Sequence, residues 1–260
     1  MKLFGRNFDR PGPGVNKDEP RKRGAARFFE VLFRDFSDLV KLNFLFLACI
    51  LPAAAVYAAG LFGFMPALAY LVSLILSFPA GGAAVACAFC VTKLLRDDPG
   101  FVWHDFRRKF RGSFRQAMAP GMVCAAIIQI QVLLWASVLL GEAAIGPGWI
   151  AAMFLTLLIF AMVSPYVFAL FAYVDLNALQ TVRNGILLSL ANAPRSIAGA
   201  VSGGAIWVAF VLFLPFSLFF LPFVAFFGFS LSWLLCFMWV WPPIEKQFRI
   251  EETINARRQQ

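Results

Sequence analysis

From Ile197 to Trp241 the chain runs 45 residues without an acidic or basic side chain. A bilayer's hydrocarbon core, about 30 Å thick, is crossed by roughly 20 helical residues, so the run is too long for one span. Pro215 and Pro222 punctuate it. The reading adopted is two spans, 197–217 and 221–242, joined by a tight turn; one long broken helix is the rival. The same length test finds spans at 42–62, 67–92, 119–140 and 149–173. The expected fold is all-α, a polytopic membrane bundle of about six transmembrane helices with cytoplasmic amphipathic helices. With 61% of residues hydrophobic and 14% charged, the chain lies far from the soluble average of about a quarter charged.

The cations sort by loop. Ten lie at or before Lys41, seven between Lys93 and Arg115, two at Arg183 and Arg195, and four after Glu245, which accounts for all 23. The alternate loops, near Gly63, Gly146 and Leu221, hold a single charge, Glu142. Lys and Arg accumulate in cytoplasmic loops. Six spans with both termini inside place every cation on that side, whereas an odd number strands one basic segment outside. The net charge of +9 then points to the anionic inner leaflet, not to nucleic acid.

Residues 1–23, rich in Pro, Gly and charge, read as a flexible basic tail, residues 24–250 as a single membrane domain, and residues 251–260 as a second, fraying tail. No short apolar run with a small-residue cleavage site precedes the first span, so the N-terminal segment is expected to be retained. A polar or basic stretch of helical periodicity precedes each pair of spans. In 25–38 it aligns Phe29, Leu32, Phe33 and Phe36; in 176–193 it aligns Leu176, Leu179, Val182 and Ile186.

The third such stretch, HDFRRKFRGSFRQ, is the most informative. On a helix Phe106, Phe110 and Phe114 form one stripe, extended by Trp103 and Ala117, and Arg107, Arg111 and Arg115 form the next. An interfacial helix sinks its aromatics at the acyl boundary and sets its cations at the phosphates. Trp103, Asp105, Phe106, Arg107, Phe110, Arg111, Phe114 and Arg115 are therefore the candidate contacts for lipid or for a partner. Three readings stand side by side: a surface helix packed on the bundle, a docking site for another protein, and, least compatible with a helix tethered between spans, a nucleic-acid site.

Signals for catalysis are weak. Cys87-Ala-Phe-Cys90 has the CxxC form but lies inside an apolar span, where small packing residues are the simpler reading. His104, the sole histidine, reads as interfacial. No Asp, Glu, Lys or Arg lies deep in a span, which argues against a proton-driven pump and an intramembrane acid–base enzyme. No cofactor or metal is expected. Gln129 and Tyr166, with breaks at Ser164-Pro165 and Pro79-Ala80-Gly81-Gly82, are candidates to line a small-solute cavity; interhelical hydrogen bonds and packing are the alternative. Gly82, Gly199 and Gly203 supply small faces for close helix approach, within the monomer or in a homo-oligomer.

Four stretches carry a family likeness: MKLFGRNFDRPGPGV with KLNFLFLACILP, the block from Phe78 to Ala117, VRNGILLSLANAPRSI, and GFSLSWLLCFMWVWPPIEKQF. They resemble the YesL-like proteins, bacterial integral membrane proteins grouped as a domain of unknown function. The resemblance implies a neighbourhood of sugar-uptake systems of the ATP-binding-cassette type and the sensor pairs that control them. It thus implies an accessory or regulatory membrane subunit, with transporter subunits as partners; the alternative is a channel or facilitator for a small neutral solute. The loop from Val174 to Ser196 lacks the Glu-Ala-Ala…Gly pattern of an importer permease, and no phosphate-cradling loop ending in Lys-Ser/Thr is present. Carried over from the family, for scaffold or contact roles, are Asp105, Phe106, Phe110, Phe114, Asn184, Pro194 and Pro52.

Overall fold

The computed structural model describes residues 24–63, 65–98, 100–139, 146–212 and 221–258. Among them every regular element is helical. In chain order these are α1 (Ala25–Arg34), α2 (Phe36–Leu61), α3 (Pro66–Leu76), α4 (Ala80–Leu95) and α5 (Val102–Leu139). Then come α6 (Pro147–Tyr173), α7 (Ala178–Ala191), α8 (Ala193–Leu212), α9 (Leu221–Phe248) and α10 (Ile250–Arg258). The expectations for residues 1–23, for the Glu142 loop and for the end of the fifth span lie outside the described residues.

Four helices, α2, α5, α6 and α9, are long and apolar enough to cross a membrane; α3 and α4 add a fifth span if taken together. This fits a multi-pass membrane protein. The stretch 67–92 is broken as expected, with the break at Ser77–Pro79 separating α3 from α4, bent by 47°. Two boundaries differ from the sequence reading. The expected third span and its amphipathic forerunner are one continuous helix, α5, with Pro120 inside it. The tail expected to fray is α10 through Arg258, its first turn capped by Glu245 Oε1, which accepts the Glu251 N–H at 2.8 Å.

At the centre stands α4, with thirteen of its sixteen residues buried. A helix apolar on all sides belongs in a core, and the run of Gly, Ala and Cys in α4 lets neighbours approach from every direction. The C-terminal halves of α6 and α9, the start of α2 and the basic half of α5 pack around it. The other end of the bundle is looser. There α3, α5 and α6 turn Leu68, Leu71, Ile130, Phe154 and Leu155 outward, as lipid-facing surfaces do.

One polar residue in α2 holds two distant segments together. Asn43 is fully buried beside a π-helical turn of α9, Val224–Gly228, where the normal backbone ladder is interrupted. Its Nδ2 donates to the carbonyls of Val224 (3.3 Å) and Ala225 (2.6 Å), and its Oδ1 accepts the N–H groups of Phe229 (2.9 Å) and Ser230 (3.1 Å). Two donors and two lone pairs are all that an asparagine side chain offers, so the amide is completely used.

Candidate functional site

The turn from α4 to α5, LLRDDPGFVWHDF, is the most heavily crosslinked place among the described residues. Helix α4 ends in a Schellman arrangement: Asp97 N–H reaches the Leu94 carbonyl and Asp98 N–H the Lys93 carbonyl. This motif needs a left-handed residue, and Asp97 supplies it at φ 61° where glycine is usual. The aspartate earns its place through its carboxylate, which pairs with Arg27 (2.7 Å) and with Arg34 of α1. The same two arginines donate to the carbonyls of Leu95 (2.7 Å) and Leu94 (3.0 Å), placing cations at the negative end of the helix. Burial pushes the Asp97 carboxyl up, but the Arg27 and Arg34 hydrogen bonds outweigh it and hold the group below its ordinary value. For Arg34 the hydrogen bond to Asp35 is the main cause of a raised pKa; burial opposes it and Asp97 adds to it.

Across the turn Asp105 is buried in the first turn of α5. It accepts from Lys93 Nζ at 2.5 Å and Arg108 Nη2 at 3.2 Å, and His104 Nδ1, on an exposed side chain, lies 3.9 Å away. Arg96 pairs with Asp98 at 3.0 Å and lies over the rings of Tyr173 (5.1 Å) and Trp241 (5.3 Å). Lys109 donates to the carbonyl of Ala172 at 2.5 Å, near the C-terminus of α6. Of the basic residues in this half of α5, then, Arg108 and Lys109 are engaged within the chain.

The aromatic stripe is engaged too, and here the lipid-contact expectation fails. Phe106 is buried, 5% exposed, and Phe110 and Phe114 are half-buried. The three rings follow one another at 6.1 and 5.4 Å. They lie over Gly82 of α4, where an added Cβ would come within 3.3 Å of Phe110 and Phe114. The stripe faces the protein because α4 offers it a floor of glycine and alanine. Asp105, likewise expected as an outward contact, is a crosslink of the turn. What α5 shows to the outside is Trp103, 63% exposed, with Arg107, Arg111 and Arg115 one turn apart. These three arginines make no ion pair and no hydrogen bond among the described residues.

The remaining candidates are placed as follows. Gly199 and Gly203 form the seam of α8 with α9, where Cβ atoms would approach the carbonyl oxygens of Cys236 (3.2 Å) and Ser232 (2.9 Å). Gln129 donates to Ser73 Oγ at 2.9 Å, and its carbonyl accepts the Tyr57 hydroxyl. Tyr166 is fully buried, its hydroxyl 3.1 Å from Ser196 Oγ. Both join helices, Gln129 linking α5 to α3 and α2 and Tyr166 linking α6 to α8. Cys87 and Cys90 lie in the core. Asn184 lines a shallow groove of about 340 Å³ with Leu176, Gln180, Arg183 and Leu187, while Pro52 and Pro194 are exposed.

No family model, curated protein or solved structure matches the chain. The site is therefore read from its own geometry. Neither the unit of Arg27, Arg34 and Asp97 nor the contact of Gly81 with Gly121 stands out in the sequence. A Cβ on Gly81 would overlap the Ala117 carbonyl and lie 3.0 Å from the Cα of Gly121, so α4 and α5 touch backbone to backbone there. The signal available was Asp97-Asp98-Pro99-Gly100 directly after an apolar run, a helix stop with one carboxylate more than a stop needs.

Proposed function

We propose that this is a non-enzymatic, multi-pass membrane protein that serves as an accessory or regulatory component beside a transporter, through the exposed face of α5. The observation that carries the reading is the row Arg107, Arg111 and Arg115, unpaired on a helix whose opposite face is fixed by Phe106 and Asp105. Six spans with both termini cytoplasmic complete the proposal, α8 being the fifth, and they put this face in the cytoplasm under the positive-inside rule. Carbohydrate uptake is the process that the resemblance to YesL-like proteins suggests.

The test is co-purification. The tagged protein, extracted in mild detergent, brings down transporter subunits; R107E/R111E/R115E inserts normally and brings down none. Recovery of the wild-type protein alone in several detergents removes the reading.

A further inference from the structure

Helix α7 turns leucines outward, but its outer face also carries three polar side chains. We propose that Arg183, Gln180 and Asn184 hold the phosphate and hydroxylated headgroup of an anionic phospholipid, whose chains run down over Leu187 and Leu190. The inference needs only that α6 crosses the bilayer, not the partner role given to α5. Depth is the first ground. Ser189 Oγ donates to the Met162 carbonyl at 3.2 Å and Gly185 abuts Val167, so α7 runs antiparallel to α6, back along the span. The 27 residues of α6 measure about 40 Å, against a hydrocarbon core of about 30 Å. The inner edge of that core crosses α6 at Val167 for an upright helix that starts at the outer edge, and at Tyr173 for one tilted by about 40°. Arg183, two residues before Gly185, sits about 3 Å beyond the level of Val167. Its Cα is then about 3 Å outside the edge in the upright case and about 5 Å inside it in the tilted one. An arginine side chain covers either distance by snorkelling, so the guanidinium reaches the phosphates at both tilts. Leu187 and Leu190, both exposed, lie one and two turns deeper, among acyl chains.

Chemistry is the second ground. Arg183, Gln180 and Asn184 line the groove of about 340 Å³ with Leu176 and Leu187, and their side chains make no hydrogen bond or ion pair among the described residues. The guanidinium fork and the two amide NH2 groups bring N–H donors to one place, the set that suits a phosphate diester. The amide oxygens are left to accept from headgroup hydroxyls. No carboxylate lines the groove to take the ammonium of a zwitterionic lipid, and Asp175, just before it, acts on Lys109 of α5. A headgroup with one negative charge and free hydroxyls, as in phosphatidylglycerol, matches both the cation and the amides. The volume is at the low end for a ligand site, with room for a headgroup and not for chains, which the exposed leucines accept outside it. The chain's own N-terminal stretch is a poor rival, since residues 1–23 hold seven cations against three carboxylates. Arg195, also exposed, stands outside the groove and is the control for diffuse charge.

The test is native mass spectrometry of the full-length protein in detergent, titrated with phosphatidylglycerol or with phosphatidylcholine of the same chains. One phosphatidylglycerol is expected to bind at least about tenfold more tightly than phosphatidylcholine. Arg183→Gln removes that preference, Gln180→Leu combined with Asn184→Leu lowers it at least about threefold, and Arg195→Gln changes it less than about twofold. The replaced side chains have no partners within the chain, so each variant keeps the wild-type Tm in lipid-free detergent, which separates lost binding from lost fold. Equal binding of the two lipids overturns the proposal. So does a loss from Arg195→Gln as large as that from Arg183→Gln, which is diffuse surface charge, or a preference that the double leucine variant leaves untouched. Displacement of the lipid by an equal concentration of glycerol 3-phosphate assigns the groove to a soluble phosphate ester and overturns the lipid. Failure of co-purification in the previous test sinks the role of α5 and leaves this site standing.

Discussion

The basic half of α5 and the two short helices α1 and α7 share an amphipathic pattern, yet they turn opposite faces to their surroundings. In α5 the phenylalanines point inward and the arginines outward. In α1 Phe33 is 74% exposed and Phe29 52%, while Arg27 and Val31 are buried. In α7 Leu179 is 81% exposed, with Leu187 and Leu190 also out, while Thr181, Gly185 and Ser189 face the bundle. The difference lies in the opposing surface. Gly81, Gly82 and Ala84 leave α4 thin enough to accept rings. Against α7, Val167 of α6 approaches so closely that only Gly185 fits, and the leucines are left outside. For α1 the surface is the end of α4, which calls for cations rather than rings. Periodicity says that a helix has two faces; the neighbour decides which one it keeps.

The comparison breaks most completely at Gly81. Gly81→Val forces α4 away from α5 and costs about 3 kcal/mol or more, read as a lower Tm together with loss of protection around Phe106–Phe114 in hydrogen exchange. Gly185→Leu is next: its side chain meets Val167 and unseats α7 at a cost of about 2 kcal/mol, seen as cleavage by added protease in 176–193. Removing the docking cation, Arg27→Leu, leaves Asp97 and the Leu95 carbonyl short of a donor and costs about 1–2 kcal/mol. Acid sharpens the same contact. The folded pKa of Asp97 is depressed, so its contribution is fully present above the ordinary carboxylate value of about 4 and fades as pH falls through the lower, folded value. Below that, α1 loosens in the wild type, and Asp97→Asn shows the loosened state at neutral pH; a spin label on α1 follows both. Phe33→Ser has the smallest effect, within about 0.5 kcal/mol in detergent. In liposomes, labels at Phe33→Cys and Leu179→Cys meet oxygen dissolved in lipid, and one at Arg111→Cys meets aqueous quencher. If Arg111 also reports lipid, α5 does not differ from α1 and α7.

Much of this architecture is legible in the residues. The apolar runs that contain α2, α6 and α9 announce themselves by length, and the proline and glycine cluster at Pro79–Gly82 marks where 67–92 breaks. The continuity of α5 is not legible, since HDFRRKFRGSFRQ and the apolar run after it differ in composition, and Pro120 stands where a boundary would be drawn. Helical hydrogen bonding runs through both because α4 supports the basic half and lets the apolar half leave the bundle. The inward turn of Phe106, Phe110 and Phe114 depends on Gly82, which is distant in the sequence plan. The role of Asn43 is hidden for the same reason: a lone amide in an apolar run says that a partner is needed, not that it is the π-turn of α9. Arg107, Arg111 and Arg115 could be picked out by spacing alone, whereas their lack of ion partners required the folded arrangement of Lys93, Asp105 and Arg108.

The bond between Asn43 and α9 joins residues 181 positions apart at its first contact, Val224. At roughly 5–20 residues per second, the ribosome needs about 10–40 s to travel from one to the other. For that interval the amide of α2 has nothing in α9 to hold, and α9, when it arrives, brings the bulge that the amide has been waiting for. A helix made late thus completes one made early, and a truncated nascent chain should be a worse tenant of the bilayer than its hydropathy suggests.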